Sequence, residues 1–278
     1  MTLTLIDGDI VAYRCAASAE NENKDIAVWR VGDLMQRIMH ETESSAFQGF
    51  LTGSNNFRYD IYPEYKAHRK KKPKPQFLEA CRESLVINWK CQVTDGIEAD
   101  DALGIEHQAN PGSVLASIDK DLLQLPGRHY NFVKQTWTDI DELQGLRNFY
   151  TQLIEGDASD NIPAWDGKLR TSRPKFVAKL IDPLYDLFRE DQMYEYVADL
   201  YQDHWQEVNM PGESITWEFD NSLLHRNAQL LYIQKKENDK WGVPIMMDNG
   251  VQGGSEDLYD QLSAVPRNDG LQNMPVLP

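Results

Sequence analysis

The sequence lacks any run of roughly 18 apolar residues, the length a membrane-crossing helix needs. Its N-terminus also lacks a basic region followed by an apolar run, so no export signal is expected. Cysteines number only three, Cys15, Cys81 and Cys91, and none stands in a CxxC pair. That argues against a zinc site or disulfide scaffold and for a soluble protein of a reducing cytoplasm. The six histidines are scattered and show no Ser or Cys nucleophile beside a His base. No DxDxDG loop exists, which removes a calcium-binding interaction protein as a reading. Positive charge is scarce: 28 Lys and Arg against 44 Asp and Glu give a formal charge of −16. Such a chain as a whole repels phosphate backbones, although net charge says nothing of local patches.

What is present is enough for a core: 278 residues, 41% of them hydrophobic, fit one large domain or two modest ones. Short apolar runs at "LTLI" (Leu3 to Ile6), "AFQGFLTG" (Ala46 to Gly53) and "SVLASID" (Ser113 to Asp119) read as strands. Helical spacing fills the gaps at "DIVAYRCAASAE", 25–44, 75–89 and 98–109. Strand alternating with helix predicts a mostly parallel sheet flanked by helices, placed at 1–142. From 143 to 235 three long stretches have apolar residues at i, i+3/i+4, including "KFVAKLIDPLYDLFR", and predict a helical subdomain. The remainder, 236–278, reads as an extension, weakly ordered beyond 249, with one short helix near 257–264. There is no internal repeat.

Acids gather where these elements end. "GIEADDALGI" (96–105) sets Glu98, Asp100 and Asp101 among residues bound for a core. Asp7 closes the first strand. Asp119 and Asp121 follow the third at i, i+2 and face one way if the chain stays extended. Asp157 and Asp160 in "GDASDNIP" share a face if they begin a helix. Each has a plain alternative: a cap, a solvated loop, a helix start using its dipole, a turn. Their joint occurrence at the ends of successive elements carries the argument, because ligands of parallel sheets bind at the strands' carboxyl ends. Converged carboxylates repel unless cations neutralise them, and hard divalent ions such as Mg²⁺ take oxygen ligands. Two such ions can activate a water and stabilise the oxygen leaving a phosphodiester.

The scarce positive charge is concentrated. Seven of the 28 basic residues, Arg58, Lys66, Arg69, Lys70, Lys71, Lys72 and Lys74, lie in or beside "YPEYKAHRKKKPKP" (62–75). Such a segment is either a solvated loop or a clamp for single-stranded nucleic acid, with Tyr62, Tyr65 and His68 as flat faces for bases.

"LIDGD", "YPEYKAHRK", "GIEADDALGI" with "SIDKDLLQLP", and "LIEGDASDNIP" together, in this order, resemble the flap endonuclease/5′→3′ exonuclease family, most closely the exonucleases of tailed bacteriophages. The resemblance covers about residues 3–235. It implies a twisted, mostly parallel PIN/FEN-like sheet flanked by helices, a helical arch over about 57–80, and a C-terminal helix–three-turn–helix subdomain gripping duplex DNA. It further implies that Asp7, Glu98, Asp100, Asp101, Asp119, Asp121, Asp157 and Asp160 bind two Mg²⁺ or Mn²⁺ ions, with Asp119, Asp121, Asp157 and Asp160 serving the second. Lys66 would stabilise charge on the scissile phosphate, Arg69 would be the arch arginine, and Tyr65 would stack on the terminal base. Lys70, Lys71, Lys72, Lys168, Arg170, Arg173 and Lys175 would contact DNA, and the hairpin after Asp160 would hold K⁺. Relatives carry an aspartate just after the second strand where this chain has Gly53, with Asp60 or a water as substitute.

The implied activity is metal-dependent hydrolysis near DNA 5′ ends or flaps, leaving 5′-phosphates, by a cytoplasmic, membrane-free monomer in an infected bacterial host. Two alternatives remain from the sequence: a DNA-binding protein whose catalysis is impaired at Gly53, and an RNase that removes RNA from RNA–DNA hybrids.

Overall fold

In a computed structural model, the residues described are 2–209 and 222–246, with Lys70, Lys71 and 206–209 described by backbone alone. The chain divides into Met1–Gly242, which holds every described helix and strand, and Val243–Pro278, whose described residues 243–246 form neither. The short helix expected near 257–264 and the weak order expected beyond 249 lie outside the described residues.

The three expected strands are present as β1 (Leu3–Asp7), β2 (Ala46–Leu51) and β4 (Val114–Ala116). Along β1 the side chains alternate between two cores. Ile6 packs with α1 (Gly8–Ser18), α2 (Lys24–Glu41) and α4 (Leu78–Trp89), while Leu5 packs with Leu103 of α5 (Ala99–Ala109). β4 repeats this, with Val114 and Ala116 on one face and Leu115 on the other. A buried Leu or Ile contributes roughly 1.5–3 kcal/mol, against about 1 kcal/mol net for a ladder hydrogen bond. Burial on both faces, more than the ladder, therefore holds the three-residue β4. Two-sided burial also explains why these strands read as continuous apolar runs.

Three more strands complete the sheet: β3 (Gln92–Val93), β5 (Gly127–Asn131) and β6 (Thr136–Ile140). The order is β3-β2-β1-β4-β5-β6, parallel except for the antiparallel β5–β6 pair. After β1 the chain goes to one side, to β2 and β3; it returns across to β4 and continues on the other. The order thus reverses between β1 and β4, and a crevice opens beyond their carboxyl ends.

α6 (Glu142–Glu155) begins the helical part and is followed by α7 (Lys175–Ile181), α8 (Glu190–Asn209) and α9 (Ser222–Leu231). The helix expected through 189 stops at Ile181 and gives way to a single 3₁₀ turn, Asp182–Asp186, because Pro183 cannot donate an amide and fixes its own φ. Asn227, wholly buried, ties the helices together. Its Nδ2 donates to the Pro163 carbonyl (2.8 Å) and the Tyr201 hydroxyl (3.1 Å), and that hydroxyl donates to Leu153 O (2.7 Å).

Over about 57–80, where a helical arch is expected, α4 begins only at Leu78. The basic segment before it makes two isolated turns, α3 (Arg58–Ile61) and a 3₁₀ turn at Ala67–Lys71, separated at Lys66 by a left-handed backbone (φ 54°). Pro63, Pro73 and Pro75 explain the interruption.

Candidate active site

Asp7, the last residue of β1, caps α1 by accepting the Ile10 amide (3.1 Å). Its other oxygen accepts from Ser117 Oγ (2.7 Å), which joins the ends of β1 and β4. Ser117 Oγ in turn accepts the Asp119 amide (3.0 Å), and Asp119 Oδ1 accepts the Asp121 amide (2.9 Å). The chain after β4 therefore curls instead of staying extended, yet Asp119 and Asp121 still reach one cavity. Likewise 157–162 is not a helix start. It is a turn closed by a bridge between Asp157 and Ile162, with Asp157 Oδ1 accepting from the Ser159 amide (2.7 Å) and hydroxyl (2.6 Å).

These turns converge on a cavity of about 150 Å³ at the crevice. Seven of the eight expected acids line it: Asp7, Glu98, Asp100, Asp119, Asp121, Asp157 and Asp160. Asp9, whose signal was its place two residues after Asp7, joins them and is held by Arg82 and the Thr52 amide (2.9 Å). Burial pushes Asp7 up to about 7 and Asp121 to about 8, and neighbouring carboxylates add to both shifts. Asp100 is raised well above the usual carboxylate range, first by desolvation and then by Asp7, Asp119 and Glu98. Glu98 goes the other way, because Lys66 and Arg58 outweigh its desolvation.

Lys66 and Arg69 supply the opposing charge. Lys66 Nζ lies 2.5 Å from Glu98 and 3.3 Å from Asp160, and Arg69 pairs with Asp160 while its Nε donates to Ser159 O (2.9 Å). Among the described residues no three acids stand ready to ligate one ion. The donor set nevertheless fits hard divalent cations: every donor is a carboxylate oxygen, and several carry raised pKa values that a cation would reverse.

Four expectations are corrected. Asp101 does not line the cavity. It is fully buried, its two oxygens accept from Arg58 (2.5 and 2.9 Å), and they also accept the amides of Glu98 (3.1 Å) and Gln234 (3.2 Å). Arg58 is correspondingly a buried structural group and no part of a basic surface. Tyr65 is 2% exposed and cannot stack on a base; its hydroxyl bonds Glu98 and Asp160, each at 2.9 Å. Gly53 does not mark a gap in the cavity, since a Cβ there would stand 2.0 Å from Thr94 O, and Asp60 is exposed and outside the lining.

A second cavity of about 620 Å³ adjoins the first, with Lys120, Asp157 and Ser159 in both linings. Its walls carry His68, Lys72, Arg170 and Arg173, the last two paired with Asp166 and Glu155. Lys168 and Lys175 are exposed outside that lining, and the side chains of Lys70 and Lys71 lie outside the described residues.

A family model described as "5′-3′ exonuclease, N-terminal resolvase-like domain" matches residues 2–152. The chain is 32% identical over 169 residues to DNA polymerase I of Rhizobium leguminosarum, covering 55% of this chain and 16% of that protein. It is 26% identical over 184 residues to a 5′-3′ exonuclease of Buchnera aphidicola subsp. Schizaphis graminum, covering 58% of this chain and 64% of that one. The alignments therefore span less than two thirds of either relative. Among solved structures, a T5 protein co-crystallised with metal ions matches with a TM-score of 0.59 at 16% identity, over 83% of this chain and 89% of that one. A bacteriophage T5 flap endonuclease in complex with DNA and metal ions matches at 0.56 and 17%, with the same coverage. At such identities these two show a shared fold.

Proposed function

The chain belongs to the 5′-3′ exonuclease family through its N-terminal resolvase-like domain, and from that premise we propose that it hydrolyses phosphodiester bonds near 5′ ends or flaps of DNA. The observation that carries this reading is the acid-lined cavity at the reversal of strand order, beside a wider basic groove. DNA is also present in the complex of the T5 flap endonuclease.

Asp7, Glu98, Asp100, Asp119, Asp121, Asp157 and Asp160 would hold two divalent cations, Mg²⁺ or Mn²⁺. Bound there, the cations would supply Lewis acidity for a water and charge neutralisation for the phosphate. Lys66 and Arg69 would exchange their carboxylate partners for phosphate oxygens, so the basic segment brings the strand to the acids. Tyr65 holds Glu98 and Asp160 in place through its hydroxyl. Lys72, Lys120, Arg170 and Arg173 neutralise the backbone of the flanking duplex without reading bases. The α6–α7 region, with Lys168 and Lys175, is the duplex grip, and a K⁺ ion there belongs to the same reading. Products carry a 5′-phosphate, and RNA annealed to DNA falls within the same substrate class, since ends and shape are recognised.

Asp100→Asn and Asp119→Asn test the assignment on a flap duplex with Mg²⁺. Both should lose at least about a hundredfold in cleavage while binding the flap in Ca²⁺ as the wild type does. Near-normal cleavage by either removes the acid cavity from the chemistry.

A further inference from the structure

α1 and α2 present a groove of about 660 Å³, separate from the two cavities above. It meets the acid cavity at Ile10, which lines both, and Ile118 of its own lining directly precedes Asp119 in the chain. Its walls carry Tyr13 and Trp29, 54% and 63% exposed, with Arg14, Arg30 and Arg37. Asp33 is the one acid in the lining.

Packing does not require these side chains. The inward faces of the two helices are already filled by Val11, Ala12 and Ala16 and by Val31, Met35 and Ile38, all fully buried. Trp29, Asp33 and Arg37 recur at i, i+4, i+8, and so form a second, outward stripe on α2. Arg30 is held by Glu22 and by Ser18 O, but Arg14 and Arg37 form no ion pair among the described residues. Arg14, Arg30 and Arg37 all line this one groove. In a chain of charge −16, two arginines without an ion pair among the described residues, beside two exposed aromatic faces and one aspartate, fit a ligand that is anionic and flat-ringed.

We propose that the α1–α2 groove binds the unpaired 5′ segment of the substrate, with Tyr13 and Trp29 stacking on bases and Arg14 and Arg37 neutralising phosphates. The inference rests on the nuclease reading for the identity of the strand. Aromatic platforms reach bases only when those are unpaired. The Lys72–Arg173 groove has no ring besides His68 and suits a backbone whose bases are paired. The two grooves join the acid cavity through different residues, so a strand crossing it has one groove for each side of the scissile phosphate.

The test is binding, read by fluorescence anisotropy in EDTA. The probes are a duplex with a flap of about six nucleotides, within the span of one single-strand site, the same duplex with an abasic flap, and the duplex without a flap. Trp29→Ala should bind the normal flap about tenfold more weakly, the loss of one stacked base, and the abasic flap unchanged. Arg37→Glu should weaken both flaps and flatten the salt dependence by roughly 0.7 in the log–log slope. Neither variant should alter affinity for the flapless duplex. Flap affinity unchanged in both variants, or an equal loss on the flapless duplex, overturns the groove. Cleavage is scored separately: flap binding through Trp29 with no cleavage would refute the nuclease and leave the groove, and cleavage with flap binding indifferent to both variants would do the reverse.

Discussion

Arg58 and Asp101 face each other in the interior, joined by two parallel hydrogen bonds of 2.5 and 2.9 Å. Arg58 also donates to the carbonyls of Leu230 and Tyr232, each at 2.8 Å, so one side chain pins α5 to the end of α9. Removing one partner leaves a buried charge alone, at a cost of about 3–5 kcal/mol. Arg58→Met and Asp101→Asn should each lower urea stability by that order. Asp101→Asn should still bind Mn²⁺ in calorimetry below its melting point, as Asp119→Asn should not. Loss of Mn²⁺ binding in a folded Asp101→Asn would return Asp101 to the ligand set.

Gly53 is held by backbone contact, not left over from a lost ligand. Gly53→Asp would drive its Cβ into Thr94 O, 2.0 Å away, and overpacking of this kind costs about 1–3 kcal/mol. The variant should melt lower and cleave no faster. Faster cleavage at unchanged melting temperature would show that the position does serve the site.

Asp7 and Asp121, at about 7 and about 8, start from 3.8 in the unfolded chain. Between about pH 4 and pH 8 the folded state holds more protons than the unfolded one, so these groups make stability fall as pH rises, levelling off above about 8. A divalent cation bound by the ionised acids opposes that fall. The rise in melting temperature on adding Mg²⁺ should be larger at about pH 8 than at about pH 5.5, and Asp121→Asn should flatten the decline without metal. Equal shifts at both values would mean that the acids do not meet the ion.

Tyr65→Phe separates two roles. A phenyl ring keeps any stacking and loses only the hydroxyl bonds to Glu98 and Asp160. A roughly tenfold drop in kcat, equivalent to about 1.4 kcal/mol, with KM little changed is expected from single-turnover and steady-state rates. A variant indistinguishable from wild type would restore the stacking role.

The central sheet was legible because β1, β4 and the second half of β2 are buried on both faces and therefore read as apolar runs. β5 and β6, "GRHYN" and "TWTDI", lie towards one edge with exposed polar positions, and two-residue β3 is too short for any period to emerge. That seven of the expected acids would converge on one cavity was legible from their places at element ends. Asp101 was not separable from its neighbours, because its partner Arg58 lies 43 residues away and only tertiary packing brings them together. The burial of Tyr65 had the same cause: its hydroxyl is satisfied by acids 33 and 95 residues distant.

The most direct measurement takes a duplex bearing a single-stranded 5′ flap, labelled separately at each end, and resolves its products to one nucleotide in Mg²⁺, Mn²⁺ and EDTA. Products released from the 5′ end in Mg²⁺ or Mn²⁺, and none in EDTA, are expected. Tight flap binding with no product in either metal, or cleavage that EDTA leaves untouched, would contradict a metal-dependent 5′ nuclease at this acid cavity.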